Sequence, residues 1–277
     1  MSLTCPMSMK IFAIKSDSTG DKVLGYLFYY QKADQFYVEL PSYADEWETP
    51  LLLSSFAKRQ QYTVNRYWSR IWVQQRIVPP DRQNINSILR ENGLKTYDEF
   101  ALLTLAEGRC AQDDCYIEPM EETELPQEIL DRFSIRIEEA VPLDDGQMLI
   151  FFRNGAARKC DMRQLCTDRR FAPILQNARL FSAVQVQTDG YGITWGENLD
   201  VGADQLYREG MGIPLSIHDF QSYASSCITD TAGACKLLNC SRQNISDLVK
   251  RGKLHPLHTS SAGNLFLLSE LRQRLWM

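Results

Sequence analysis

An Asn-Gly pair, Asn154-Gly155, lies between two apolar runs and is the sequence feature that constrains the fold most. The flanking runs cover residues 147–152 and 157–161. Because both central residues of a two-residue turn need positive φ angles, which Asn and Gly accept, this arrangement predicts a β-hairpin. Helical stretches on both sides of this hairpin make α+β, in several domains, the predicted fold class.

Residues 1–118 are predicted to form a mixed α/β N-terminal domain. Three predicted strands, rich in β-branched and aromatic residues, cover residues 10–15, 23–30 and 36–40. A short strand is predicted to begin at residues 116–117. Three predicted helices cover residues 65–76, 84–91 and 97–107. Gly93 and Gly108 follow the last two helices, where a left-handed residue commonly ends a helix.

Residues 119–132 are predicted to be an acidic linker or domain boundary, because Pro119 and Pro126 stand among closely spaced glutamates. Residues 133–211 then predict a small α+β central domain. Its predicted order is three strands, a helix, two strands and a helix, in which residues 181–188 and 191–195 form a second hairpin.

A set of turn formers, helix caps and apolar residues recurs through the central segment. Its members are Phe152-Arg153-Asn154-Gly155, Asp161, Phe171, Leu175, Phe181, Ile193-Thr194-Trp195, Asp200, Asp204, Leu206-Tyr207 and Gly210. In these residues the segment resembles the bacterial family called domain of unknown function 2442. The resemblance implies a small α+β fold that occurs alone or beside a helix-turn-helix. Some members stand in two-gene loci that look like toxin–antitoxin pairs, and no catalytic residue is attributed to the family.

Charge is distributed unevenly along the chain, whose formal net charge is −5. From residue 231 onward there are seven basic residues and two acidic residues, a net charge of +5, so the first 230 residues carry −10. A basic segment after an acidic body predicts a nucleic-acid-binding module at that end. The acidic body itself is excluded as a general binder of polyanions.

Residues 216–277 are predicted to fold as a winged helix-turn-helix. Asp230-Thr231 precede a short helix, Asn239-Cys240 make the turn, and Ser241 caps a second helix over residues 242–250. Gly252 supplies the left-handed residue that ends this helix. The predicted wing has strands at residues 254–257 and 265–267 around a turn at residues 260–264, and Ser269 is predicted to cap a last helix.

The second helix carries the predicted DNA contacts. Arg suits guanine and Gln or Asn suits adenine in the major groove, while the free N–H groups of a helix start favour a phosphate. Basic residues near the other end of the helix suit the DNA backbone. The predicted DNA-binding residues are Ser241, Arg242, Gln243, Asn244, Lys250, Arg251, Lys253 and His258.

A longer pattern runs through the same segment. It comprises Ala234, residues 237–245, residues 248–254, Phe266 and Glu270. In these residues the segment looks like the MerR and excisionase type of winged helix-turn-helix, which implies DNA binding, although such folds also serve as protein docking sites. The wing departs from the pattern, since His258, Thr259, Ser260 and Ser261 stand where relatives often carry arginines.

The sequence lacks the residue patterns that catalytic, zinc-binding and phosphate-binding sites require. All three histidines follow residue 217, which excludes Ser-His-Asp and Cys-His catalysis from the preceding residues. The residues Cys235, Cys240, His255 and His258 have the wrong spacing for a zinc finger. The glycines at 190, 192 and 196 fall in a predicted hairpin instead of before a helix, so they predict no phosphate loop. We therefore predict no enzymatic activity, no cofactor and no metal.

One further pattern lies in the N-terminal domain, in Trp72, Arg76-Ile77-Val78-Pro79-Pro80, Arg82, residues 97–105, Asp113-Asp114 and Tyr116-Ile117. In these residues it resembles the leading segment of HipA-like proteins, without their kinase core or metal-binding motifs. The resemblance implies only toxin–antitoxin kinship. Two packed helices joined by a Pro-Pro turn account for the same residues.

Together these patterns predict a DNA-binding transcriptional regulator whose partner is double-stranded DNA. One module covers little DNA, which favours a homodimer. The most concrete version is an antitoxin-like autorepressor with a toxin-like protein partner. The absence of a signal peptide or a membrane-spanning run predicts a cytoplasmic protein. A non-enzymatic adaptor, and an enzyme that uses the N-terminal domain, remain open alternatives, and the sequence leaves open whether residues 1–3 are native.

Overall fold

The computed structural model describes residues 9–196, 199–214, 217–261 and 263–276. The open question about residues 1–3 and the predicted domain start at residue 216 lie outside the described residues. The chain divides into two compact units, Met1–Leu130 and Asp131–Met277. Both units combine helices with antiparallel sheets, which confirms the predicted α+β class.

The first unit is built around a five-stranded sheet in which every neighbouring pair is antiparallel. Its strands are β1 (Met9–Ser16), β2 (Gly20–Tyr30), β3 (Gln35–Glu39), β4 (Thr63–Val64) and β5 (Cys115–Met120), and their order across the sheet is β4-β3-β2-β1-β5. Its helices are α1 (Leu51–Lys58), α2 (Arg66–Gln74), α3 (Ile85–Glu91) and α4 (Glu99–Leu105). The core contains Leu27, Val38, Trp72 and Leu103, so strands and helices share one buried layer.

Local signals account for most of these elements. The three predicted strands and three predicted helices are confirmed, with ends that differ by a few residues. Asn65 caps α2 through its Oδ1, which accepts a hydrogen bond from the N–H of Trp68. Asp98 caps α4 likewise, since its side chain accepts a hydrogen bond from the N–H of Ala101. Helix α1 was not predicted, since Pro50 precedes it and offers no capping side chain.

The segment interpreted from its sequence as an acidic linker, residues 119–132, carries regular structure. Strand β5 ends at Met120, and a helix, α5 (Gln127–Ser134), follows. Leu125, Ile129 and Phe133 are spaced four residues apart and are buried. This apolar spacing gives the segment one buried face, which outweighs the exposed glutamates and prolines that suggested a linker.

The second unit begins with a hairpin-rich region of two small antiparallel sheets. Its strands are β6 (Ile137–Pro142), β7 (Gln147–Phe152), β8 (Ala157–Asp161), β9 (Gln185–Val186), β10 (Gly192–Thr194), β11 (Asp200–Gly202) and β12 (Met211–Gly212). Its helices are α6 (Met162–Leu165), α7 (Ala172–Leu175), α8 (Ala178–Phe181) and α9 (Ala203–Glu209). The strand orders are β12-β8-β7-β6 and β11-β10-β9.

The Asn154-Gly155 hairpin is confirmed, because β7 pairs antiparallel with β8. Of these two residues only Gly155 has a positive φ, 82°, so the positive φ expected at Asn154 is wrong. Asn154 serves the turn through its side chain instead, since its Oδ1 accepts a hydrogen bond from the N–H of Ala156 at 3.0 Å.

The second predicted hairpin is confirmed in part. Strands β9 and β10 pair antiparallel, and Asp189 and Gly190 between them both have positive φ. The predicted strand start at residue 181 is wrong, because Phe181 belongs to α8. Asn177 caps this helix by accepting hydrogen bonds from two backbone N–H groups, so the chain is helical and not extended at residue 181.

The second unit ends in a third small sheet surrounded by helices. These elements are α10 (Ile217–Cys227), β13 (Ile228–Asp230), α11 (Thr231–Leu238), α12 (Arg242–Lys250), β14 (His258–Ser260), β15 (Gly263–Leu267) and α13 (Leu268–Trp276), with strand order β13-β15-β14. The hairpin predicted around residues 260–264 forms between β14 and β15, but its first strand is His258–Ser260 and the strand predicted at residues 254–257 is wrong. There, Leu254 is buried in the core and the N–H of His255 donates to Glu270. Ser269 lies inside α13 and is buried, so its predicted role as the cap is also wrong.

Candidate nucleic-acid interface

Helices α11 and α12 are joined by a tight turn and packed on a common core. The buried residues of this core are Ala234, Ile245, Leu254, Phe266 and Leu271. Asp230 caps α11 through a hydrogen bond from the N–H of Gly233, and Asn239 takes the left-handed conformation that reverses the chain after it. Two short polar residues, Asp230 and Asn239, therefore fix where α11 begins and where the chain turns towards α12.

The first turn of α12 is exposed on one side and buried on the other. Ser241 caps the helix, since its Oγ accepts a hydrogen bond from the N–H of Asn244 at 3.2 Å. Ile245 is buried, whereas Ser241, Arg242, Gln243 and Asn244 are exposed. We call these four exposed residues the α12 face. It brings together four of the eight predicted site residues.

Three further predicted site residues lie at the other end of α12, with Lys250 as its last residue and Arg251 and Lys253 just beyond it. Lys250, Arg251 and Lys253 are exposed, and Gly252 between them has a φ of 62°. The carbonyl oxygen of Lys253 accepts a hydrogen bond from Arg274 Nε at 2.7 Å, which ties this segment to α13. Lys250, Arg251 and Lys253 are named the basic end below. No carboxylate of the described residues pairs with the basic end or with Arg242, so these charges face solvent.

His258, the eighth predicted site residue, lies apart from the helix on β14. It is exposed and pairs with Leu265 of β15 in the sheet register. The neighbouring residues of β14 are Thr259 and Ser260, both exposed. The described part of this hairpin therefore adds polar side chains and no fixed positive charge.

One basic residue counted in the C-terminal segment points elsewhere. Arg272 of α13 donates from Nη1 to Oε1 of Glu139 on β6 at 2.6 Å, and the Glu139 side chain is only 2% exposed. Burial raises the pKa of Glu139, and the Arg272 guanidinium partly opposes this shift. This pair joins the region of β6 to α13 inside the second unit, and Arg272 therefore adds little to the exposed charge.

Sequence reasoning missed the Glu139–Arg272 pair because the two residues are 133 positions apart. A partial signal was present in the alternation of strand β6. Val141 is buried, and Glu139, two residues before it, lies on the same face, whereas a bulge between Ile137 and Glu139 places Ile137 in a different core. A carboxylate at a buried position requires a partner, although the alternation does not say which cation supplies it.

Metal and membrane sites find no support in the described parts of the chain. There, no three His, Cys, Asp or Glu side chains are grouped as a metal ion requires. His255 Nδ1 instead lies 3.0 Å from Glu270. The helices at described positions include none with the length and apolar character needed to span a membrane.

Comparison with known proteins identifies one segment. Residues 137–212 match the family model described as "Protein of unknown function (DUF2442)". This match confirms the resemblance noted for the central segment. No curated protein and no solved structure matches the chain.

Proposed function

We propose that residues 231–277 form a winged helix-turn-helix that binds double-stranded DNA, and that the protein is a transcriptional regulator. The observation that carries this proposal is the orientation of α12. Ile245 is buried in the core, while Arg242, Gln243 and Asn244 immediately before it are exposed together. A recognition helix needs this division between a packed face and a free N-terminal turn.

The side chains of the α12 face suit base edges. Arg242 offers a planar fork of donors that fits O6 and N7 of guanine, and the amides of Gln243 and Asn244 fit N6 and N7 of adenine. The N–H groups of Arg242 and Gln243 are also available to a phosphate, because helix geometry gives them no partner within the helix, whereas that of Asn244 is bound by Ser241.

The basic end suits the DNA backbone. Lys250, Arg251 and Lys253 are exposed cations that contact phosphates without reading sequence. These three cations bind three phosphates per chain, and one further contact, at His258, makes four. This number sets the salt dependence that an experiment measures.

The biological role that we propose is an antitoxin-like autorepressor in the cytoplasm, with a toxin-like protein as its partner. The match of residues 137–212 supports this role in one way only. Some proteins of the matching family are encoded in two-gene loci that look like toxin–antitoxin pairs. A single module reads few base pairs, so the proposal includes a homodimer on half-sites about 34 Å apart.

The test is binding to a duplex taken from upstream of the protein's own reading frame, measured by fluorescence anisotropy at several salt concentrations. We expect log K to fall with log salt at a slope of about −3 to −4 for each chain bound. Lys250→Ala should weaken binding to this duplex and to a scrambled duplex equally. Arg242→Ala and Gln243→Ala should instead reduce the preference for the native duplex. Lys95→Ala, an exposed lysine of the first unit, is the matched control and should change neither quantity.

A protein adaptor is the second candidate function. The observation that favours it is the exposure of three leucines in the C-terminal segment, Leu257, Leu265 and Leu275, at 52%, 39% and 42%. Apolar side chains gain from a protein surface and gain nothing from phosphates. Absent or salt-independent binding to the duplexes contradicts the DNA proposal and favours the adaptor.

A further inference from the structure

The first unit contains a cavity of about 460 Å³ beside helices α1 and α2. Its volume is in the range of sites that bind small molecules. Aromatic side chains form much of its wall, namely Phe56, Trp68 and Trp72. The predicted function at the other end of the chain makes no use of this cavity.

Two buried N–H groups in the cavity wall have no acceptor. Trp72 Nε1 and Arg76 Nε are both covered from solvent, and no hydrogen-bond partner is found for either one among the described residues. Both side chains line the cavity, and Trp72 and Arg76 are 0% and 4% exposed. A buried donor without a partner loses its hydration and gains nothing in return, so such groups are rare unless a water molecule or a ligand serves them.

The two other nitrogens of the Arg76 guanidinium each have a hydrogen-bond acceptor. Its Nη2 pairs with Asp113, its Nη1 donates to the carbonyl oxygen of Trp72 at 3.3 Å, and its guanidinium carbon lies 3.8 Å from the centre of the Trp72 ring. This arrangement holds the Trp72 and Arg76 side chains together and leaves Nε as the guanidinium nitrogen without an acceptor.

The charge of the cavity wall is positive. Arg76 is balanced by Asp113, and Arg59 at the end of α1 adds a second cation. Arg59 is exposed, and its guanidinium carbon lies 5.3 Å from the centre of the Phe56 ring. Arg59, Trp68 and Gln75 line the cavity and are exposed, and Arg59 is held by a hydrogen bond from its Nε to the carbonyl oxygen of Ser55 at 3.0 Å. A change of rotamer at the exposed Trp68 or Gln75 side chain admits an acceptor to the covered N–H groups.

We infer that this cavity binds a small planar aromatic carboxylate. The carboxylate accepts hydrogen bonds from Trp72 Nε1 and Arg76 Nε and is attracted by Arg59, while its ring packs among Phe56, Trp68 and Trp72. The inference concerns the first unit alone and stands independently of DNA binding.

The test uses the full chain and naphthalene-2-carboxylate as the probe, with naphthalene-2-carboxamide as its neutral counterpart of the same shape. Binding is followed by the indole ¹H–¹⁵N resonances, and that of Trp72 is assigned by its loss in Trp72→Phe. We expect a saturable downfield shift of the Trp72 resonance, because its N–H gains an acceptor. The carboxylate should bind at least about tenfold more tightly than the carboxamide.

Two variants make a matched pair, since each removes one indole N–H and keeps an aromatic ring. Trp72→Phe should weaken binding of the carboxylate about tenfold or more, whereas Trp68→Phe should change it less than about threefold. If Trp72→Phe does not fold, the exposed Arg59→Gln replaces it and should weaken binding of the carboxylate but not of the carboxamide. Equal affinity for the two probes, equal effects of the paired variants, or the absence of a saturable shift would overturn the inference.

Discussion

The burial of Glu139 makes the stability of the second unit depend on pH. Desolvation raises the pKa of this carboxyl above its ordinary value of 4.5, and Arg272 offsets part of the shift. An acid with a raised pKa in the folded state holds its proton more tightly there than in the unfolded state. Its contribution to stability is therefore fully present below about pH 4.5 and is lost as the pH rises through the folded pKa.

Replacing Arg272 should enlarge this pH dependence. Arg272→Met removes the cation and leaves an ionised carboxylate buried without it, which should cost about 3 kcal/mol of unfolding free energy at pH 8. The cost should be smaller at pH 5, where protonation of Glu139 relieves the buried charge. Urea unfolding of a fragment of residues 131–277 at the two pH values measures both quantities.

Two further variants show whether the ion pair is the cause. Adding Glu139→Gln to Arg272→Met removes the orphaned charge and should recover much of the lost stability. Arg208→Met breaks the exposed pair with Glu209 and should cost less than about 0.5 kcal/mol at either pH. An Arg272→Met effect that is equal at pH 5 and pH 8 would exclude the buried carboxylate as its origin.

Substitutions at two glycines of the matched family segment distinguish the cost of backbone strain from the cost of a steric overlap. Gly155 and Gly190 have similar positive φ angles, 82° and 80°. A Cβ at Gly155 would meet nothing within 4 Å, whereas one at Gly190 would overlap the backbone of Ile137. Gly155→Ala should therefore cost about 1 kcal/mol of stability, and Gly190→Ala about 3 kcal/mol or more. Equal losses in urea unfolding of the same fragment would contradict the close approach.

At the scale of single elements, caps and turns were predictable where a side chain bonds its own backbone. Helix α12 was predicted with its observed bounds because Ser241 and Gly252 mark its two ends. Such signals act over three or four residues and need no knowledge of the rest of the fold.

Elements that lack local signals were missed. Helix α1 follows Pro50, which provides no capping hydrogen bond, and helix α10 contains several serines, which favour helices only weakly. In α1, Leu53 and Phe56 are buried in the core of the first unit. Its stability comes from tertiary packing, which a local pattern does not reveal.

The cap of α12 allows folding and DNA binding to be separated. Asp is as good an N-cap residue as Ser and also suits the positive end of the helix dipole, so Ser241→Asp should leave the melting temperature unchanged or slightly higher. The new negative charge lies on the α12 face and should repel phosphate, which weakens binding to the upstream duplex about tenfold at low salt. Ser241→Asn keeps the cap without the charge and is the control. A Ser241→Asp protein that binds as tightly as Ser241→Asn would place the DNA elsewhere.

At the scale of the whole molecule, charge was predictable by counting, but its placement was not. The excess of cations after residue 231 was visible in the sequence, and the α12 face and the basic end are exposed as expected. Arg272 was counted among these cations but pairs with Glu139. A contact between residues 133 positions apart depends on how β6 and α13 pack, which composition cannot specify.

The same counting predicts how the two units affect DNA binding. Residues 1–130 hold 13 basic and 19 acidic residues, a net charge of −6, and residues 131–277 hold 17 and 16, a net charge of +1. A fragment of residues 131–277 contains the α12 face and the basic end and should bind the upstream duplex at least as tightly as the full chain. Its advantage should grow as salt falls, since the screening length rises from about 8 Å at 0.15 M to about 30 Å at 0.01 M.

Anisotropy titrations of the fragment and the full chain, at matched salt concentrations, measure this difference. Circular dichroism establishes beforehand that the fragment is folded, so that a loss of binding cannot be attributed to unfolding. A folded fragment that binds more weakly than the full chain at every salt concentration would show that residues 1–130 supply attractive contacts to DNA. Because that unit is acidic overall, such contacts would have to be local and specific instead of long-range electrostatic ones.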